Sequence, residues 1–147
     1  MENLILLILL TPGVVFLFLS LIWLCGGNPR EKFISRLTGI TYTFIFICSL
    51  VLAYQMISHH GEPIQLSFGN WFAVHGYSFP LIIVVDQLSL PLMILTTVLV
   101  GLVAVFSTRY LHREKGFYRF FILLHLFAFG ALLIFSAGSL DLLVGGW

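Results

Sequence analysis

The stretch "DQLSLPLMILTTVLVGLVAVFSTRYLHREKGFYRFF", Asp86 to Phe121, decides the fold. From Leu88 to Phe106 it holds only apolar, hydroxyl-bearing, glycine and proline residues. A bilayer core of about 30 Å takes roughly 20 residues of helix, so this run reads as a membrane span. A carboxylate stands before it, basic residues crowd its far end, and a second apolar run opens at Phe117. One span, one polar turn and the start of another already describe a polytopic membrane protein.

Working outward, Leu4 to Cys25 and Leu37 to Ile57 are runs of the same kind, and Phe117 to Ser136 is a fourth, interrupted by Arg119 and His125. A fifth helix starts near Leu140 in "SAGSLDLLVGGW", with a capping serine and Asp141 in its first turn. Hydrophobic residues make up 60% of the chain and charged residues 9%. An average soluble domain carries about 25% charged residues, which excludes a soluble core. The leader of the first run carries Glu2 rather than a basic residue, and no small-x-small cleavage site follows, so the run reads as a retained helix rather than a signal. The expected fold is therefore an all-α polytopic membrane protein with four transmembrane helices, a β-hairpin between the second and third, and the start of a fifth.

Orientation follows from the 7 basic residues, which fall into two clusters, Arg30, Lys32, Arg36 and Arg109, Arg113, Lys115, Arg119. Short loops rich in Lys and Arg stay cytoplasmic. Both clusters are thus cytoplasmic topology anchors, and the N-terminus and the second and fourth connections lie outside, most naturally at a bacterial plasma (inner) membrane. Anionic lipid headgroups account for these charges, and no nucleic-acid footprint is present. Cys25 and Cys48 lie at different depths and should not meet. His59 and His60 with Glu62 lack further ligands at metal-binding spacing, so no metal is expected.

The outer segment from Ser58 to Val85 reads as a hairpin, with strands Gln65 to Val74 and Tyr77 to Val85 about a His75-Gly76 turn. Pro80 has no N–H for a ladder and belongs at an edge or a bulge. Phe79, Leu81, Ile83 and Val85 alternate with Pro80, Ile82 and Val84, which leaves both faces apolar. Neighbouring helices or a partner subunit should cover them.

Two residues invite a chemical role. Asp86 stands where a carboxylate caps the third helix, with Ser89 assisting; the competing reading is an external proton or cation port. His125 is an ionisable group within a span, about eight residues or 12 Å from the inner helix end. It either relays protons or packs as a neutral imidazole against a neighbouring helix. A single group cannot carry a proton across about 30 Å of hydrocarbon, and the first three helices offer only hydroxyls such as Thr41, Thr43, Ser49 and Thr96. The sequence has no GxGxxG, P-loop or CxxC motif, so no catalytic residue and no cofactor is expected in it.

In order, "DQLS", "FSTRY", "GFYRFF" and "LDLLVGGW" resemble the N-terminal region of the antiporter-like membrane subunits. That family comprises the L or 5 subunit of proton-pumping NADH-quinone oxidoreductase, the A subunit of multi-subunit sodium/proton antiporters, and the membrane subunit of an inorganic-carbon uptake system. "YLHREKGFYRFF", "LLHLFAFG" and "GSLDLL" look closer to the carbon-uptake branch. The resemblance implies a leading three-helix scaffold with its hairpin over residues 1–116, and over 117–147 the start of the first of two inverted repeats. In the family a glutamate follows the "GW" and central lysines carry protons. The resemblance therefore implies that residues up to Trp147 contribute scaffold and partner surface, not a complete proton path. The implied partners are protons, lipid, and either other membrane subunits or a soluble carbon-uptake protein. The alternative is a free-standing small membrane protein with an assembly role, which a native reading frame ending at Trp147 would favour.

Overall fold

The computed structural model describes residues 1–27, 29–58, 62–74 and 77–147, with the backbone alone of 70–74 and 77–79. Four long helices are α1 (Glu2–Leu24), α2 (Glu31–Ser58), α3 (Ser89–Tyr110) and α4 (Phe117–Ser136), and a short α5 covers Leu140–Gly146. All four long helices are apolar enough to cross a membrane. Between α2 and α3 the chain forms an antiparallel pair, β1 (Ile64–Val74) and β2 (Tyr77–Val85). The expected turn at His75-Gly76 lies outside the described residues, as do His59 and His60.

Hydropathy finds where a helix crosses the bilayer, not where it begins. The second apolar run starts at Leu37, yet α2 starts at Glu31, since "EKFISR" carries good helix formers and needs no apolar solvent to coil. Likewise α3 runs on past Phe106 to Tyr110.

The four spans form a ring in which α1 packs on α2, α2 on α3, α3 on α4 and α4 back on α1. Lipid gives apolar side chains little reason to leave it, so close fit must hold the ring together. At Gly13 of α1 a Cβ would lie 3.0 Å from Phe129 of α4, so the aromatic ring rests on bare backbone. Nearer the basic end the Tyr118 hydroxyl donates to Leu19 O at 2.6 Å, again joining α4 to α1. Inside lie Ile5, Ile8, Ile45, Leu52, Met93, Phe121 and Leu132, while Leu17, Leu21, Ile40, Phe106 and Phe127 face outward. A large apolar exterior is what a protein dissolved in hydrocarbon presents.

The hairpin is irregular where its sequence requires. Ser67 pairs with Ile82 but Asn70 with Pro80, so β1 carries one extra residue there, and Gly69 takes φ +79°. That is a bulge with glycine in the left-handed region, set beside the proline that has no N–H to offer. The apolar ribbon is partly covered from within: Leu66, Ile83 and Val85 are buried while Phe68 remains exposed. The cover includes the α4–α5 connection, where Gly138 N donates to Ile82 O at 2.8 Å and Ala137 bridges Ile83. A Cβ on Gly138 would sit 2.5 Å from Val84 Cγ2 and 2.9 Å from Ile82 O, so only glycine fits.

Helix α5 begins with Ser139 Oγ accepting from Leu142 N at 3.3 Å. It lies against α4 backbone to backbone, since a Cβ on Gly130 would fall 2.6 Å from Gly146 O. The second glycine of "LLVGGW" thus has a physical reason: Gly146 is where the backbones of two helices touch.

Candidate functional site

At the hairpin end, Asp86 closes the start of α3. Its Oδ1 accepts from Leu88 N at 3.0 Å and from Ser89 N at 2.7 Å, while Ser89 Oγ accepts from Asp86 N at 2.8 Å. Leu90 N already donates to Asp86 O, so the helical bonding starts at this aspartate although regular helix begins at Ser89. The arrangement is a reciprocal box, with serine where glutamate more often stands. The Ser89 N–H, helped by that of Leu88, holds the Asp86 carboxyl below its usual range despite some desolvation. Such a carboxylate stays ionised through neutral pH and spends its lone pairs on the helix end.

At the opposite end the two basic clusters come together. All of Arg30, Lys32, Arg36, Arg109, Arg113, Lys115 and Arg119 are exposed. Glu31 joins their two turns: His112 Nδ1–H donates to Glu31 Oε2 at 2.8 Å, and Arg113 N donates to Glu31 Oε1 at 3.0 Å. Arg113 takes φ +68°, a left-handed conformation that turns its N–H toward the carboxylate. Sequence reading missed Glu31 and His112, because nothing local marks two residues 81 apart as partners.

His125 lies between the ends, fully buried in α4. Its Nδ1–H donates to Phe121 O at 2.8 Å, one turn back. Its ring stands 5.3 Å from that of Tyr42 on α2, tilted by 35°. Nε2 has no protein partner among the described residues, and neither has the Tyr42 hydroxyl. Asp86, His125 and the basic clusters are thus three separate places, not one constellation. Cys25 and Cys48 are both free, and no group of three metal-ligating side chains occurs among the described residues.

Residues 71–121, from the hairpin through α3 into α4, match the family model described as NADH-ubiquinone oxidoreductase (complex I), chain 5 N-terminus. That stretch is homologous to the chain 5 N-terminal domain. Over 99% of its length the chain is 31% identical to NADH-quinone oxidoreductase subunit L of Campylobacter jejuni. It is 28% identical over 95% of its length to NADH-ubiquinone oxidoreductase chain 5 of Loxodonta africana. Across 67% of its length it is 32% identical to a probable inorganic carbon transporter subunit, DabB1, of Halothiobacillus neapolitanus. These alignments cover 22%, 23% and 17% of the three relatives, so the chain spans about a fifth of their length. Four apolar helices and membrane-subunit relatives make this an integral membrane protein, similar throughout to the N-terminal region of the antiporter-like L and 5 subunits.

Proposed function

We propose that these residues form the leading scaffold of a proton-translocating, antiporter-like subunit working inside a multi-subunit membrane assembly. The observation that carries this reading is where the family match falls. It covers the end of β1, all of β2, α3 and the start of α4. Residues 1–116 act as scaffold and 117–147 open the first transport repeat.

In this reading the N-terminus, the hairpin and Asp86 face outward and the basic clusters face the cytoplasm of a bacterial cell. Their meeting at one end through Glu31 supports a common side. His125 takes part in proton relay: it is the one histidine or charged side chain buried within a span among the described residues, and its Nε2 is available to a proton. Further titratable groups on other helices must complete the path. Asp86 serves α3 as a cap rather than as a port, since its Oδ1 accepts from two N–H groups at the helix start.

Two experiments test the reading. In a cysteine-free background, Glu62→Cys should react with an impermeant maleimide on intact cells and Lys115→Cys only after permeabilisation; the reverse pattern overturns the orientation. In the native assembly, His125→Gln should lower proton translocation with assembly unchanged, and full translocation by that variant removes His125 from the relay. Co-purification separates the two kinds of assembly. Quinone-reductase subunits place the chain with the respiratory relatives, and a soluble zinc-containing protein places it with carbon uptake.

A further inference from the structure

Hydroxyls inside membrane helices normally return to their own backbone. Thr41, Thr96, Thr97 and Ser136 do so, donating to carbonyls at 2.8, 2.8, 2.9 and 2.8 Å. Thr38 does not. It is 1% exposed, and its Oγ1 has no protein partner. One turn along the same face of α2, the Tyr42 hydroxyl is also without one at 5% exposure, and across the bundle His125 Nε2 is without one at 0%. Three orphaned polar atoms from two facing helices lie in a protein where each has little water to turn to.

Geometry brings them together. An aromatic side chain on a helix leans toward the N-terminus, over the residue four positions back. By that rule Tyr42 belongs over Thr38, and its ring centroid stands 5.3 Å from that of His125. With Nδ1–H committed to Phe121 O, a neutral His125 presents Nε2 as a pure acceptor. The two hydroxyls each donate and accept. An acceptor and two hydroxyls are the partners a buried water requires, since such waters make about three hydrogen bonds. Tyr42 also walls a mainly apolar cleft of about 630 Å³ between α2 and α3, whose polar lining is Ser35, Thr43, Thr97, Thr108 and Arg109. That cleft reaches from mid-helix to the basic end, and Gly101 lines it beside Tyr42.

We propose that Thr38, Tyr42 and His125 form a water-binding site sealed between α2 and α4 and supplied from the α2–α3 cleft past the Tyr42 ring. The water accepts from or donates to the two hydroxyls and donates to Nε2. The site rests on hydrogen-bond accounting and packing, and it stands even if no proton ever passes through this chain.

The test is solid-state NMR on the full-length protein in lipid bilayers, with ¹⁵N in the histidine rings and His125 assigned by the loss of its signals in His125→Gln. The expected result is an Nδ1-protonated ring that takes up polarisation from water faster than the buried methyls of Leu132. Thr38→Val and Tyr42→Phe should each cut that uptake by about half, because each removes one of the roughly three hydrogen bonds that hold the water. Thr38→Ser, which keeps the hydroxyl, should restore it and guards against a variant that merely misfolds. The site is overturned by wild-type uptake no faster than at Leu132, or by uptake unchanged in both hydroxyl-deleting variants. A His125 signal altered by Tyr42→Phe without any water transfer also overturns it, since that marks a dry hydrogen bond between the two rings.

Discussion

The two ends of the bundle are fastened by different means. At the hairpin end the joint between elements is backbone on backbone, Gly138 N to Ile82 O with Ala137 beside Ile83, and the α3 start is capped by the Asp86 and Ser89 side chains. At the basic end the joint is one exposed carboxylate, with Glu31 at 34% and His112 at 61% side-chain exposure. Backbone contacts as close as that at Gly138 tolerate no added atom, whereas a solvated side-chain contact contributes little and leaves its loops room to change. Both ends close the same helices, but only one depends on which residues are small.

The largest effect should come from Gly138→Val, whose side chain would overlap Val84, Ile82 and the Ile82 carbonyl. A loss of about 3 kcal/mol is expected for overpacking of this kind, read as lowered resistance to denaturant in micelles together with faster amide exchange along β2. Gly130→Ala should cost about 1–2 kcal/mol by lifting α5 off α4, and limited proteolysis near Ser139 should speed up. Asp86→Ala should cost about 1 kcal/mol, as cap removals do.

Acid sharpens that third case. The folded carboxyl of Asp86 lies below its unfolded value, so its contribution is complete above the unfolded value of about 3.9 and fades as pH falls through the folded one. In Asp86→Ala that part of the acid dependence should vanish. The smallest effect belongs to Glu31→Ala, about 0.5 kcal/mol or less, shrinking further with salt. A loss at Glu31 larger than that at Asp86 would break the contrast between the two ends.

How far the sequence could be read follows the same division. Spans, the hairpin and the Asp86 box are local: each is written in a run of adjacent residues, and α4 occupies the very residues, Phe117 to Ser136, that hydropathy marks. Pro80 pointed to an edge or a bulge because a missing N–H is a property of one residue. His125 could be singled out for the same reason, as a lone ionisable group in an apolar run. Its neighbours could not. That Tyr42 rests on His125, that Thr38 fails to bond its own helix, and that Glu31 meets His112 are facts about which helix faces which, and no span marks its inward side with a broad polar face opposite. With no strong amphipathic stripe to show the inward face, rotation about each helix axis is set by tertiary fit alone.

The bond from Tyr118 to Leu19 spans 99 residues and closes the ring between its first and last long helices. Until α4 has been made, the face of α1 that carries Gly13 and the Leu19 carbonyl has no α4 to pack against. The α1–α4 seam can form only once α4 has been made, so the order of synthesis sets when this face of α1 is covered.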